Sequence, residues 1–445
     1  MTTSGPTRTE PPVDLDDATG RRFRTFDSLI DVPAFRWYLL SMTGNWSALQ
    51  MQQVVRGFLA YQLTESFVAL GLVELGNSLP RVALALYGGV VADRASRRVM
   101  VQMGQGISAA IAMILATMLF TNVLRFEHLV IAAVIQGSVN SFALPARQAM
   151  IPEIVGQTRV MNAFALNVFA LNTMRLVAPA IAGAIIAAIG SAWVFAVMAI
   201  LNVLAVVAMF PVPAINAARR AATTGATIAA AAPVLDTHGR RASRTGTREI
   251  GDAFRYLRGQ RLLMILLGLQ GITAVLALPY QRLLPGFVDE VLSSSPEETA
   301  VLMGLLLTFT AVGALVGSLL IASLPNRARG RLLIASLAIF GIGLLGFALS
   351  HWFWVSAGIV LVLGVGQAGR QSLINILIQS TVADEFRGRV SSILLLEDGV
   401  DSLGIFAIAV LAAAVGPQAA LGAVAVALLV LAAGLWGTRT VRLLD

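Results

Sequence analysis

The chain has 445 residues, of which 57% are hydrophobic and only 13% charged, and its formal net charge is +8. It contains no cysteine, and all 32 basic residues are arginine, which excludes disulfides, thiolate metal sites, P-loops that need a lysine and Schiff-base enzymes. The three histidines (His128, His238 and His351) are never four residues apart, which argues against a histidine metal site. With no nucleophile–base constellation either, we expect neither an enzyme nor a cofactor.

Twelve apolar segments follow one another along the chain, and each is long enough for the roughly 20 residues that a membrane-spanning helix needs. They lie at about 35–64, 66–91, 99–121, 129–150, 161–189, 192–212, 262–288, 300–324, 331–349, 352–378, 391–415 and 419–436. Helices are expected because backbone polar groups in lipid must be satisfied within the segment. The sequence therefore predicts an all-α membrane protein of twelve transmembrane helices in two pseudo-symmetric six-helix halves.

The basic residues lie almost entirely in alternate connections between these segments. Seven polar stretches hold 26 of the 32 arginines, whereas the other connections hold only Arg125. By the positive-inside rule, this distribution predicts that both termini and the long middle loop are cytoplasmic. We attribute the basicity to orientation and to contact with anionic membrane lipids, and without aromatic interleaving we expect no nucleic-acid partner.

The pattern divides the chain into five parts. These are a cytoplasmic tail at 1–34, a six-helix half at 35–212, a cytoplasmic middle loop at 213–261, a second six-helix half at 262–436 and a cytoplasmic tail at 437–445. A faint internal repeat supports the duplication, since IPEIVGQTRV at 151–160 returns as VADEFRGRV at 382–390. The middle loop ends in an apolar face of Ile250, Ala253, Phe254 and Leu257, which fits either an amphipathic interfacial helix or a solvated linker helix.

The stretch GGVVADRASRR at 88–98 concentrates charge between the second and third segments. Gly89, Asp93, Arg94, Arg97 and Arg98 resemble the signature loop G-x-L-A-D-R-x-G-R-R of the major facilitator superfamily. The resemblance implies a cytoplasmic gate, in which this loop holds the two halves together near the start of the eleventh span. Alternatively the arginines only follow the orientation rule, which does not explain the acidic Asp93.

Further stretches resemble one branch of that superfamily, the transmembrane secretion effectors, which include enterobactin-exporter-like and macrolide-efflux-like proteins. They are ALPARQAMIPEIV at 143–155, NAFALNVFALNTMRLVAPAIAG at 162–183, PYQRLLPGF at 279–287 and RGRVSS at 387–392. The resemblance implies export, as of drugs or siderophores. Together with the charged and amide residues described below, it leads us to expect a monomeric secondary active exporter of amphipathic small molecules in the bacterial cytoplasmic membrane, working by proton antiport. An uncoupled facilitator, a lipid flippase and a non-transporting membrane sensor remain alternatives.

Nine charged residues fall inside the apolar segments, where unpaired they would together cost about 20–30 kcal/mol. They are Arg56, Arg81, Arg175, Arg282, Arg370, Glu74, Glu397, Asp398 and Asp401. Each must therefore pair or face water. Arg56 and Glu74 stand at similar depth on neighbouring segments and are predicted to interact, whereas Arg282 is expected to extend towards the outer surface.

The eleventh segment is the predicted proton site, with Glu74 as a further candidate. Glu397 and Asp401 share a helix face, and two carboxylates so close favour proton uptake by one of them. Arg370 matches Glu397 and Asp398 in depth. Alternatively these acids lie near the cytoplasmic surface and are only hydrated. In the first segment, where the resembling proteins often carry an aspartate, this chain has the non-titrating Asn45.

Polar residues on three segments predict a substrate cavity. Arg175 lies in an Asn-rich run with Asn167 and Asn172, and it suits an anionic substrate group, a gating hydrogen bond or backbone carbonyls. Other amide and aromatic groups suit a bulky amphipathic ligand, or could form interhelical hydrogen bonds instead; they are Trp46, Gln50, Gln53, Gln367, Gln371 and Asn375.

Overall fold

The computed structural model describes residues 27–214, 260–324, 328–382, 397–438 and 442. The predicted apolar face of the middle loop and the second copy of the repeat lie outside these residues. The description also leaves out Gly89 and four side chains that lie in helices, those of Asp93, Arg94, Glu397 and Asp398.

The described part of the chain contains twelve long helices, a short helix at Asp27–Asp31 and a 3-10 turn at Gln157–Arg159, and no strand occurs in it. The long helices are α1 (Pro33–Thr64), α2 (Phe67–Arg94), α3 (Arg97–Phe120), α4 (Phe126–Val155), α5 (Val160–Ile189), α6 (Ser191–Ala208), α7 (Arg261–Ala277, Pro279–Phe287 and the π-helical turn Val288–Leu292), α8 (Pro296–Ser323), α9 (Arg329–Leu349), α10 (Phe353–Thr381), α11 (Glu397–Val415) and α12 (Pro417–Gly437). By length and composition, ten of them can cross a membrane. The other two are α1, which carries several glutamines and arginines, and α11, whose apolar part is Asp401–Val415.

The helices pack in two six-helix halves related by a shift of six helices. In the first half α1 packs on α5, α2 on α4 and α3 on α6, and in the second half α7 packs on α11, α8 on α10 and α9 on α12. Between the halves, α2 packs on α11 and α5 packs on α8, which are equivalent pairs under the same shift. The predicted pseudo-symmetric architecture is therefore the observed one.

Glycines set the close helix crossings that this packing requires. A side chain at Gly137 would collide with the backbone of Asn77, where α4 crosses α2. In the second half, a side chain at Gly313 would collide with the backbone of Leu361, where α8 crosses α10. Small residues at such crossings let helices gain van der Waals contact where lipid gives no hydrophobic drive to association.

The bundle has two ends, which we name after residues in their turns. The Glu65 end holds the turns between α1 and α2 and between α7 and α8, and the Arg97 end holds the turn between α2 and α3. Helix α7 is broken at Leu278, because Pro279 has no amide hydrogen to continue the helical ladder. Gln281 and Arg282 lie in the first turn after this break.

Candidate functional site

A cavity of about 470 Å³ lies between the two halves. The first half contributes residues of α1 and α5, and the second half contributes residues of α7, α8 and α10. Its polar lining consists of Gln50, Gln53, Asn172, Arg175, Gln281, Arg282, Thr310, Ser318, Gln367, Gln371 and Ser372. Six of these were predicted from the sequence as cavity, pairing or substrate residues, namely Gln50, Gln53, Asn172, Arg175, Gln367 and Gln371. The volume is within the range of small-molecule sites in proteins.

A hydrogen-bonded amide cluster forms the second half's wall of the cavity. The Gln281 amide donates to the Tyr280 hydroxyl at 3.1 Å and to Gln367 Oε1 at 3.2 Å. The Tyr280 hydroxyl also lies 3.4 Å from Gln367 Oε1, and its ring packs edge-on against Phe340. The cluster therefore holds Gln367 in one orientation. Tyr280 and Gln281 were not among the sequence candidates.

Arg175 presents its charge to the cavity from α5. Its side chain is exposed there, and it has no hydrogen bond or ion pair with any other described residue. Nearby on the same helix, Asn172 lines the same cavity. Asn167 lies further along, and its buried side-chain oxygen has no hydrogen-bond partner among the described residues. Arg175 is thus a cation in a confined polar space, available to an anionic group.

An ion pair joins the two halves at the Glu65 side of the cavity. Arg282 Nε of α7 lies 3.5 Å from Glu74 Oε2 of α2. Arg56 of α1 interacts electrostatically with Glu74, and these three residues line a small space of about 30 Å³ behind the main cavity. Arg56 and Glu74 are both 8% exposed. The expectation that Arg282 extends to the outer surface is wrong, because an acidic partner within reach outweighs the benefit of snorkelling.

Close contacts between the halves continue from this ion pair to the Glu65 end. The Tyr61 hydroxyl of α1 donates to Glu290 Oε1 of α7 at 2.6 Å. A side chain at Gly286 would collide with the rings of Tyr61 and Phe67, and one at Gly304 of α8 would lie 2.7 Å from the Pro179 carbonyl oxygen of α5. The described helices are therefore tightly packed across the halves at the Glu65 end.

A second space lies along α5 towards the Arg97 end. An apolar groove of about 690 Å³ runs along α5 from Met161 and shares Asn172 and Leu315 with the cavity. Along it, Met161 is 83% exposed and Phe169 70% exposed. The cavity is thus continuous with an apolar groove between α5 and α8, on the side away from the inter-half ion pair.

The predicted gate residues lie at the Arg97 end. Arg97 Nη1 binds Glu153 Oε1 at 2.6 Å and the Ala149 carbonyl at 3.1 Å, and both partners belong to α4. Arg98 donates to the Val212 carbonyl at 2.8 Å and its guanidinium lies 5.6 Å from the centre of the Phe210 ring. These partners all belong to the first half. The side chains of Gly89, Asp93 and Arg94 lie outside the described residues, so a bridge between the halves stays a prediction.

The predicted proton site on α11 is described only in part. Asp401 is half-buried on α11, which packs against α2 and α7, whereas the side chains of Glu397 and Asp398 are not described. Arg370, which is 1% exposed, donates to Thr273 Oγ1 at 2.6 Å and to Gln371 Oε1 at 3.2 Å. Arg370 thereby joins α10 to α7 beside the cavity.

Three other sequence candidates, and the non-titrating Asn45, take positions outside the cavity lining. Trp46 is partly buried in an apolar cluster of the first half, and Asn375 is half-buried on α10. Arg81 stands two turns from Glu74 on α2 and interacts with it electrostatically. The Asn45 amide donates to Asn202 Oδ1 of α6 at 2.9 Å, with both side chains buried. Asn45 therefore joins two helices of one half.

Comparison with known proteins agrees with this geometry. The family model described as Major Facilitator Superfamily matches residues 38–397. A curated relative, the Staphyloferrin A transporter of Staphylococcus aureus (strain NCTC 8325 / PS 47), is 23% identical over 376 residues, which cover 82% of this chain and 85% of the relative.

Solved structures share the fold at low sequence identity. A mutant of the nucleoside transporter NupG superposes with a TM-score of 0.67 and 14% identity over 91% of this chain and 99% of the other. A mutant of the peptide transporter POT in complex with alafosfalin gives a TM-score of 0.67 and 15% identity over 93% and 96% of the two chains. With the twelve-helix bundle and the matched family model, the chain belongs to the major facilitator superfamily, whose members are multi-pass membrane transporters.

Proposed function

We propose that the protein is a secondary active exporter that moves amphipathic small molecules out across the bacterial cytoplasmic membrane by alternating access, coupled to proton antiport. The observation that carries this proposal is the cavity between the halves, which has a polar lining and continues into the apolar groove between α5 and α8. An amphipathic molecule needs both surfaces. The curated relative's name indicates a siderophore-like molecule as the first substrate class to test.

The arrangement of the two ends supports transport by rocking of the halves. Under the positive-inside rule, the Arg97 end faces the cytoplasm. In this proposal the apolar groove leads from the cavity towards the cytoplasm, and the contacts of Tyr61 with Glu290 and Gly286 close the outside. Rocking about the inter-half helix pairs would break these contacts and expose the cavity to the other side. A monomer suffices for this cycle, because both halves belong to one chain.

Asp401 is the proton carrier in this proposal. It is half-buried on α11, which packs on both α2 and α7 and therefore links the two halves. A carboxylate in such a place gains or loses a proton as its surroundings change with the rocking of the halves. Glu74, which is paired with Arg282, is the second candidate.

The test is flux in proteoliposomes with an imposed pH gradient, using siderophores and amphipathic drugs. We expect substrate accumulation driven by the gradient in the wild type. Asp401→Asn should lose the gradient-driven accumulation and keep substrate counterflow, because a neutral amide occupies the same volume without carrying a proton. If Asp401→Asn transports with unaltered pH dependence, Asp401 is not the carrier. Gln418→Glu, at the start of α12 away from the cavity, serves as the control for a change of one charge.

An uncoupled facilitator or lipid flippase is the second candidate, and the exposed apolar groove along α5 favours it. Such a protein would exchange its substrate across the bilayer at the same rate whether or not the pH gradient is collapsed. A lipid flippase would also move fluorescent phospholipids in vesicles that lack any other substrate. Gradient-independent counterflow of the wild type would therefore replace the antiport proposal with this one.

A further inference from the structure

The charges around the cavity do not balance. The main cavity and the small space behind it are lined by three arginines (Arg56, Arg175 and Arg282) and by one carboxylate, Glu74. A charge confined among apolar helices is costly unless it has a counter-ion or water. The lining therefore favours a ligand that brings negative charge.

Two of these arginines face the main cavity from opposite halves. Arg175 of α5 has no partner among the described residues. Arg282 of α7 lines both spaces, and its partner Glu74 lies on the far side of it at 3.5 Å. That separation is longer than the 2.7–2.9 Å of a strong charge-assisted hydrogen bond, and the Arg282 side chain is 32% exposed. Arg282 therefore retains donors that a ligand can reach.

We infer that the cavity binds an amphipathic dicarboxylate, with one carboxylate at Arg175 and the second at Arg282, where it competes with Glu74. This rests on the proposed transport function and narrows its substrate class. The amide cluster of Gln281 and Gln367 supplies neutral hydrogen bonds to the rest of the ligand. A planar guanidinium suits this role because it offers paired donors in the geometry of a carboxylate.

The competition at Arg282 has a consequence for the transport cycle. Glu74 and Arg282 hold the two halves together beside the contacts of the Glu65 end. A ligand carboxylate that draws Arg282 into the main cavity weakens this link. A ligand shifts a conformational equilibrium only through a difference in its interactions with the two states, and this exchange of partners provides such a difference.

The test is equilibrium binding of two matched fluorescent probes to the purified full chain in lipid nanodiscs. The probes are N-dansyl aspartate, which is a dianion, and its uncharged dimethyl ester. We expect the wild type to bind the diacid at least about tenfold more tightly than the diester, as for hydrogen bonds between charged groups. Arg175→Gln should remove most of this preference by weakening diacid binding, and Arg175→Lys should restore part of it.

Two further variants separate the inference from a general effect of charge. Glu74→Gln should bind the diacid more tightly than the wild type, because Arg282 loses its internal competitor. Arg331→Gln, which changes an exposed arginine at the start of α9, should bind both probes like the wild type. Diester binding in Arg175→Gln, equal to that of the wild type, shows that the variant is folded.

Several results would overturn the inference. They are equal affinity of the wild type for diacid and diester, an equal loss of both in Arg175→Gln, failure of the wild type to bind either probe, and weaker diacid binding in Glu74→Gln. The proposed function fails separately, if proteoliposomes show no flux of any amphipathic compound while the diacid preference persists in binding.

Discussion

Neutralising Glu74 is the perturbation whose effect on the inter-half contact follows most directly from the structure. At 3.5 Å, the Glu74–Arg282 attraction is about 5 kcal/mol for an effective dielectric constant of about 20, before any cost of desolvation. Desolvation opposes much of this, and the amide of Glu74→Gln still accepts a hydrogen bond. We therefore expect Glu74→Gln to destabilise the state that is closed at the Glu65 end by about 1–2 kcal/mol. This corresponds to about a 5- to 30-fold shift of the equilibrium between the closed and open states.

The direction of this shift follows from the neighbouring charges. Arg56 and Arg282 line the same small space, and Glu74 lies there with them. Without the carboxylate the two guanidinium groups repel each other across the boundary between the halves. Glu74→Gln should therefore favour a state that is open at the Glu65 end over the state seen here.

The absence of native cysteine makes the measurement direct. Ala311 is a small residue of the cavity lining on α8, so Ala311→Cys introduces a single thiol with little change in volume. The rate at which a membrane-impermeant thiol reagent modifies this cysteine from the Glu65 side reports the open population. We expect that rate to rise about 5- to 30-fold when Glu74→Gln is added.

Matched variants decide what the rate means. Glu127→Gln removes an exposed carboxylate at the Glu65 end of α4 and should leave the rate unchanged. Adding Arg282→Gln to Glu74→Gln should bring the rate back towards that of Arg282→Gln alone, because the repulsion with Arg56 is then removed. An unchanged rate in Glu74→Gln, or the same increase in Glu127→Gln, would refute a role of this ion pair in closing the Glu65 end.

Two further substitutions test the packing around the cavity. Gly304→Val should lower the free energy of unfolding by about 1–3 kcal/mol and raise the rate of thiol labelling from the Glu65 side, because the new side chain meets the Pro179 carbonyl. The control is Gly434→Val, whose Cβ meets nothing within 4 Å, and equal effects of both variants would contradict a close crossing of α8 and α5 at Gly304. Thr273→Val removes a hydrogen-bond partner of Arg370 with little change in side-chain volume. It should lower the free energy of unfolding by about 1–3 kcal/mol, measured with denaturant in detergent. An unchanged free energy of unfolding would show that this hydrogen bond does not stabilise the fold.

The helices were predictable because their length and apolarity are local properties of the chain. The twelve apolar segments correspond to twelve helices, and the predicted segment at 161–189 lies within one residue of the observed Val160–Ile189. The division into two six-helix halves could also be predicted, since both halves need six apolar segments long enough to cross a membrane. Helix ends were less accurate, as in α4, which extends to Val155 and not to about residue 150.

The residues that line the cavity could be predicted only where their position along a helix determines whether they reach it. Gln50, Gln53, Gln367 and Gln371 line the cavity because they are polar residues at the middle of long apolar segments. Ion-pair partners in the other half could not be predicted, because they depend on which helices of different halves are neighbours. The pairing of Arg282 with Glu74, for example, joins α7 of the second half to α2 of the first.

The Glu65 end is closed by van der Waals contacts and by an ion pair. Both kinds of contact are compatible with a reversible opening of this end. The contact of Gly304 with Pro179 is short-ranged, so a small rotation of the halves removes it without leaving an unsatisfied group. The Glu74–Arg282 pair is different, because separating it leaves two charges that need new partners. In an interface without water, the cost of leaving both charges unpaired would prevent the halves from separating. Beside a polar cavity, water or a ligand carboxylate can replace the lost partner, so the free-energy difference between the two states can stay within the few kcal/mol that substrate binding supplies.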